Sequence, residues 1–190
     1  MAMTKNIMIV GVGGQGTLLT SRIIGKTALE QGFDVKISEV HGMAQRGGSV
    51  VTFVRFDEEV FEPVVEEGTA DVLIAFERLE ALRYAHFLKH DGALIVNDTR
   101  IDPMTVVIGA ASYPENIIDT LSKEHKVYAI DGAKIAKEIG NSRVLNSVVL
   151  GLAARHIGFE KEAWLEVLES TVPPKTKEIN TRAFLAGYDY

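Results

Sequence analysis

Two short stretches hold the residue types from which a binding site can be made. The first, Gly11-Val12-Gly13-Gly14-Gln15-Gly16, follows the apolar run Ile7 to Val10. Gly11, Gly13 and Gly16 satisfy G-x-G-x-x-G, the pattern of a strand-to-helix turn whose bare backbone can approach a phosphate. The helix opening after such a turn offers free N–H groups and a positive dipole end to an anion. Glu39 lies 23 residues beyond Gly16, near the roughly 20 at which dinucleotide-binding folds place a ribose-binding acid. NAD or FAD binding is therefore one expectation. The alternative is that the glycines only permit tight packing of strand on helix.

The second stretch runs from Ser38 to Val50 as Ser-Glu-Val-His-Gly-Met-Ala-Gln-Arg-Gly-Gly-Ser-Val. Glu39, His41, Gln45 and Arg46 are its candidate contributors to an active site or interface. Glycines at 42, 47 and 48 let a loop pass close to another surface, and the Arg46 guanidinium can grip a phosphate or carboxylate at two points. The plainer reading is a surface loop with a weak Glu39–Arg46 salt bridge. A dinucleotide-binding fold would continue from its acid into a helix; here the chain loops and returns as a strand.

Other chemistries find less support. Gly25-Lys26-Thr27 resembles the end of a P-loop, but Thr20 stands where that motif needs glycine, and the triplet lies mid-helix. A ubiquitin-activating-type adenylation domain also carries G-x-G-G-x-G, yet its Arg-rich segment and zinc-binding cysteines are missing. Cysteine is absent altogether, which excludes disulfides, thiolate zinc sites and Cys-ligated iron–sulfur clusters on this chain. No metal-binding spacing occurs. His86 and His156 read as helix histidines with satisfied surroundings, and Asn97-Asp98 either ends a strand with ligand-facing groups or simply begins a turn. A net charge of −6 without a basic stripe disfavours nucleic acid. No apolar run reaches the ~18 residues of a membrane span. The few residues before the first strand leave no room for a signal peptide, so the cytoplasm is expected.

The elements that must position these residues alternate. Strands are predicted at 7–10, 35–40, 50–56, 71–76, 93–97, 105–108 and 126–130, from apolar or β-branched runs. Helices are predicted at about 14–31, 77–89, 114–124 and 132–139, and the C-terminal third is all helix. There Leu145, Val148, Val149, Leu152, Ala153 and His156 make one amphipathic face, with further helices at 160–169 and 176–185. Asn146 lies off that face, where solvent or an interface would meet it. The pattern specifies a single α/β domain over residues 1–190: a three-layer Rossmann-like sandwich with a mostly parallel sheet. Residues 50–56 follow the second strand without an intervening helix, so the sheet is expected to be mixed.

Taken together, the glycine turn and the 38–50 string closely resemble the gamma domain of 2-oxoacid:ferredoxin oxidoreductases. The His41-Gly42-Met43-Ala44-Gln45-Arg46 form is most similar to the small, or beta, subunit of the indolepyruvate enzymes, where pyruvate and 2-oxoglutarate enzymes usually carry a Gly-Pro-Glu variant. Asn146 to Gly151 and Val172 to Gly187 extend the resemblance over essentially the whole chain. It implies a complex that oxidatively decarboxylates an aryl pyruvate on thiamine diphosphate with magnesium. Electrons would pass through iron–sulfur clusters to ferredoxin, and an aryl-acetyl-CoA would be released. The thiamine motif Gly-Asp-Gly is absent here, since Asp91-Gly92 is preceded by His90 and Asn97 follows too soon. Both redox cofactors would then sit on a larger alpha subunit, with this chain inactive alone. The backbone of Gly11, Gly13, Gly14, Gln15, Gly16, Gly47 and Gly48 would face a cofactor or that partner. A stand-alone NAD/FAD protein and a non-catalytic scaffold subunit are the alternatives.

Overall fold

The structure, a computed structural model, describes residues 4–42 and 47–190. Its six strands form one sheet in the order β2-β3-β1-β4-β5-β6. They are β1 (Lys5–Val12), β2 (Asp34–His41), β3 (Ser49–Asp57), β4 (Ala70–Ala75), β5 (Leu88–Asn97) and β6 (Lys126–Ile130). β1, β4, β5 and β6 run parallel, while β3 runs antiparallel to both β1 and β2. The mixed sheet thus arises where the sequence lacks a crossover helix: β2 and β3 pair as a hairpin, and antiparallel neighbours need only a short connection. β4 is buried along its whole length, as a strand covered on both faces must be.

Helices cover the two faces unequally. On one side lie α1 (Thr17–Glu30), α5 (Gly132–Ile139), α6 (Leu145–Ile157), α7 (Lys161–Thr171) and α8 (Lys177–Tyr188). They enclose a core that includes Ile7, Ile9, Ile24, Ile74, Val148, Trp164 and Phe184. The other side is thinner: α2 (Arg78–Tyr84) and α4 (Ile117–Leu121) supply Ala81, Ile117 and Leu121 over Met8, Val10, Leu73 and Val96. The result is the expected three-layer sandwich. None of its described helices is long and apolar enough to cross a membrane.

α6 is the buried centre of the thick layer, and it crosses α8 backbone to backbone. A Cβ added to Gly151 would sit 2.0 Å from the Phe184 carbonyl oxygen, and one on Gly187 would sit 1.8 Å from that of Val148. Only two glycines facing each other allow this approach. Gly25 in α1 has a milder version of the same role, since a Cβ there would meet Ile37 Cδ1 of β2 at 2.6 Å. The glycine of the P-loop-like triplet is therefore explained by packing.

Several boundaries differ from those predicted. Residues 104–107 form a helical turn, α3 (Met104–Val107), not a strand. Their β-branched composition suggested sheet, but β6 occupies the place beside β5, and Met104 and Val107 remain exposed. The helix expected from residue 77 to 89 ends at Tyr84 with a 3-10 turn, Ala85–Phe87. β5 starts at Leu88, passing through a register shift opposite Ala70. α4 covers only the middle of the 114–124 prediction. α1 begins at Thr17, three residues later than predicted, because Gly14 and Gly16 take left-handed backbone angles that end the turn before the helix can start.

Candidate functional site

The glycine turn leaves β1 at the C-terminal edge of the sheet, the edge at which open α/β folds build sites. The second stretch arrives at the same edge. Val12 pairs with Ser49 across β1 and β3, and just beyond that pair the Gly13 N–H donates to the Gly48 carbonyl at 2.9 Å. Two segments separated in sequence by a helix and a strand thereby become one surface. Gln45 and Arg46 lie outside the described residues, but the chain on either side of them is in place.

Between the turn and the hairpin runs a groove of about 460 Å³, lined by Gly13, Gly14, Gly16, Thr17, Leu18, Glu39, His41 and Val50. Its floor is the start of α1, whose first-turn N–H groups have no intrahelical acceptor. With 14 residues behind it, that helix end favours negative charge. Glu39 and His41 are exposed on the facing rim. Glu39 accepts a 3.3 Å hydrogen bond from Thr52, and His41 Nδ1 lies 3.2 Å from the Gly42 carbonyl. The groove therefore combines backbone donors, one carboxylate and one imidazole, a set suited to binding and positioning an anionic or hydroxylated group.

Gln15 does not point into this groove. Its side chain fills the gap between β1 and β4, where the two strands diverge past Ala75. Gln15 Oε1 accepts from the Val12 N–H at 2.7 Å and Nε2 donates to the Phe76 carbonyl at 2.9 Å. The side-chain amide so continues the ladder that the backbones can no longer make. The place it fills is the topological switch point, since β1 leads towards β2 on one side of the sheet and β4 towards β5 and β6 on the other. In dinucleotide-binding folds that crevice is the ligand's; here an amide spans it. The position of Glu39 departs from that pattern as well, because β3 separates its strand from β1. Gln15 is thus brought to the site as a brace, not as a groove-lining group.

Gly16, at φ +89°, closes the turn, and a Cβ there would meet the Asn146 side chain at 2.9 Å. Asn146 was expected at solvent or an interface; it is 8% exposed and packs against the glycine turn from the first turn of α6. Asn97 also proves internal. It donates to the Phe76 carbonyl and to Thr99, and accepts from the Gly132 N–H. Asp98 pairs with Arg78. His156 lies against the Tyr128 ring, with its pKa lowered by burial and then by nearby Arg155 and Lys5. His86 stands beside Phe87 and Glu67 at the surface.

A buried acidic cluster beneath the hairpin was missed in the sequence. Glu77, 1% exposed, caps α2 by accepting from the Glu80 N–H, and it also accepts from Ile101 N–H and the Tyr113 hydroxyl. Burial and that carboxylate push the Tyr113 pKa far up. Glu80, 5% exposed, accepts a 2.5 Å hydrogen bond from Ser49. Burial raises its pKa against the opposing effect of that bond. The available signal was an acid at the end of a buried strand with a second acid three residues on, a helix-start pattern.

Comparison with known proteins places this geometry. Residues 6–190 match the family model described as pyruvate ferredoxin/flavodoxin oxidoreductase. The chain is 43% identical over 190 residues to the indolepyruvate oxidoreductase subunit IorB of Thermococcus kodakarensis, covering 96% of this chain and 93% of that protein. It is 34% identical to the 2-oxoglutarate synthase subunit KorC of Methanothermobacter marburgensis, covering 97% and 95%. Among solved structures, the gamma subunit of a keto/oxoacid ferredoxin oxidoreductase from Geobacter sulfurreducens superposes with a TM-score of 0.71 at 26% identity, over 97% and 96% of the two chains.

Proposed function

The chain belongs to the pyruvate ferredoxin/flavodoxin oxidoreductase family, and from that premise we propose that it is the small subunit of an aryl-pyruvate, in particular indolepyruvate, ferredoxin oxidoreductase. The complex oxidatively decarboxylates the 2-oxoacid to an aryl-acetyl-CoA and passes the electrons to ferredoxin. The substrate class follows the relatives named for indolepyruvate, to which identity is higher than to the 2-oxoglutarate one. The work takes place in the cytoplasm.

The residues of this chain do not fit the redox cofactors. It has no cysteine for an iron–sulfur cluster. Nor does it carry the Gly-Asp-Gly motif that the magnesium of thiamine diphosphate requires. Those groups belong on a larger alpha subunit, which also meets ferredoxin, and no chemical step is assigned to this chain by itself. Its part is to complete a site. The N–H groups of the first turn of α1 offer donors to an anion such as a CoA phosphate, while those of Gly13 and Gln15 are already given to the Gly48 and Val12 carbonyls. Arg46, carried on the 43–46 segment, supplies positive charge to the substrate carboxylate or to CoA.

The observation that carries this reading is the hydrogen bond from Gly13 N–H to the Gly48 carbonyl, which joins the turn to the chain two residues past Arg46. A bound dinucleotide is disfavoured by the amide bridge of Gln15 at the switch point. The test is reconstitution with the larger subunit. The isolated chain should turn nothing over, and Arg46→Ala should lower activity of the complex well over tenfold with its fold intact. Unchanged kinetics would remove Arg46 from the site. Purification of the chain alone with a bound nucleotide would overturn the subunit reading.

A further inference from the structure

We propose that Glu80 is a positioning residue that fixes the base of the Arg46-bearing segment against the glycine turn; its functional part rests on the reading above. Ser49, the first residue of β3, is held from two directions. Its strand partner is Val12, the last residue of β1, and the preceding carbonyl of Gly48 takes the Gly13 N–H. From below, its hydroxyl donates to Glu80 Oε2 at 2.5 Å and lies 3.4 Å from the Tyr84 hydroxyl.

Glu80 is itself rigidly mounted. Its N–H is taken by the Glu77 cap at 3.0 Å, and its other oxygen, Oε1, faces Arg83 Nε at 3.4 Å. A cavity of about 90 Å³ adjoins the Ser49–Glu80 contact, lined by Gly47, Ser49, Glu77, Glu80 and Arg83 among others. A carboxylate kept 5% exposed costs stability unless its oxygens find donors. α2 therefore carries a buried acceptor whose partner is Ser49, the last residue but one of the second stretch. Helix and sheet geometry alone would be served as well by an apolar residue there. What the carboxylate adds is a directional bond to the point where the loop rejoins the sheet.

The test compares Glu80→Ala, Ser49→Ala, their double variant and Glu80→Gln. In the full chain, amide exchange at residues 47–51 should quicken at least fivefold in either alanine variant. The double variant should exchange no faster than the singles, and Glu80→Gln, which keeps an oxygen for Ser49, should restore most of the protection. In the reconstituted complex, Glu80→Ala should lower kcat/KM five- to twentyfold, with Glu80→Gln recovering most of it. Added to Arg46→Ala, it should cost no further activity, because it acts through the same segment. Unchanged exchange in both alanine variants, or losses that multiply independently with Arg46→Ala, would overturn the assignment. If Arg46→Ala alone has no effect, the functional reading fails, and the exchange data still decide whether Glu80 fixes the segment.

Discussion

Gln15 and Asn97 donate hydrogen bonds from their side-chain amides to one acceptor, the carbonyl oxygen of Phe76, at 2.9 and 3.1 Å. Phe76 is the first residue past β4, where the sheet splays open at its C-terminal edge. Gln15 ties that point to β1 through Val12, and Asn97 ties it to the start of α5 through Gly132. The edge that carries the groove is held by side chains standing in for peptide groups.

Gln15→Ala should therefore destabilise the chain although the residue lies in a turn. The Val12 N–H loses its acceptor, while Phe76 keeps Asn97. A buried donor left unpaired costs about 1–3 kcal/mol, and since this one is part-buried the loss belongs at the lower end of that range. Urea denaturation monitored by circular dichroism would measure it, and a change below about 0.5 kcal/mol would mean that water takes over the bond.

The α6–α8 crossing should tolerate no side chain. In Gly151→Ala and Gly187→Ala the new methyl would lie within 2.0 Å of a backbone carbonyl oxygen, so relief requires the two helices to separate. Overpacking typically costs about 1–3 kcal/mol, and backbone obstruction puts these two at or above the upper end. The double variant should cost less than the sum, because one separation relieves both contacts. Strict additivity in equilibrium unfolding would argue against a shared crossing.

Stability should fall below neutral pH partly through His156. Burial lowers its pKa from the ordinary 6.5, so in acid the unfolded chain binds a proton that the folded chain resists. The contribution is complete above about pH 6.5 and is lost as pH falls from there through the folded-state value. Glu80 has the opposite sign, since its raised pKa favours the protonated folded form as pH falls towards 4.5. Unfolding free energies at pH 7.5 and 5.5 should converge in His156→Phe relative to the unsubstituted chain. An identical pH dependence in both would show that His156 is freely protonated in the fold.

The alternation of apolar runs with amphipathic stretches was enough to specify the layered α/β architecture, because burying Ile7 to Val10 or Val72 to Ala75 from both sides leaves few alternatives. The missing crossover between the second and third strands was legible as a mixed sheet for the same reason. Short elements were not: Thr105 to Ile108 has strand composition, but its conformation depended on whether a sheet edge was vacant beside it, and β6 had taken that place. The ends of α1, α2 and α4 likewise depended on turns and contacts that single residues do not announce.

For the site, the sequence by itself determined its ingredients: the glycine turn, the Ser38–Val50 string, and the lack of any thiol to hold a cluster. These follow from residue chemistry and spacing along the chain. Only the tertiary structure decided how they combine. It placed β3 between β1 and the strand of Glu39, turned Gln15 inward as a brace, and buried Asn146 against Gly16. It also set Glu80 beneath Ser49. Each of those outcomes depends on which backbone groups are left without partners once the strands are ordered, and that accounting exists only after the sheet has formed.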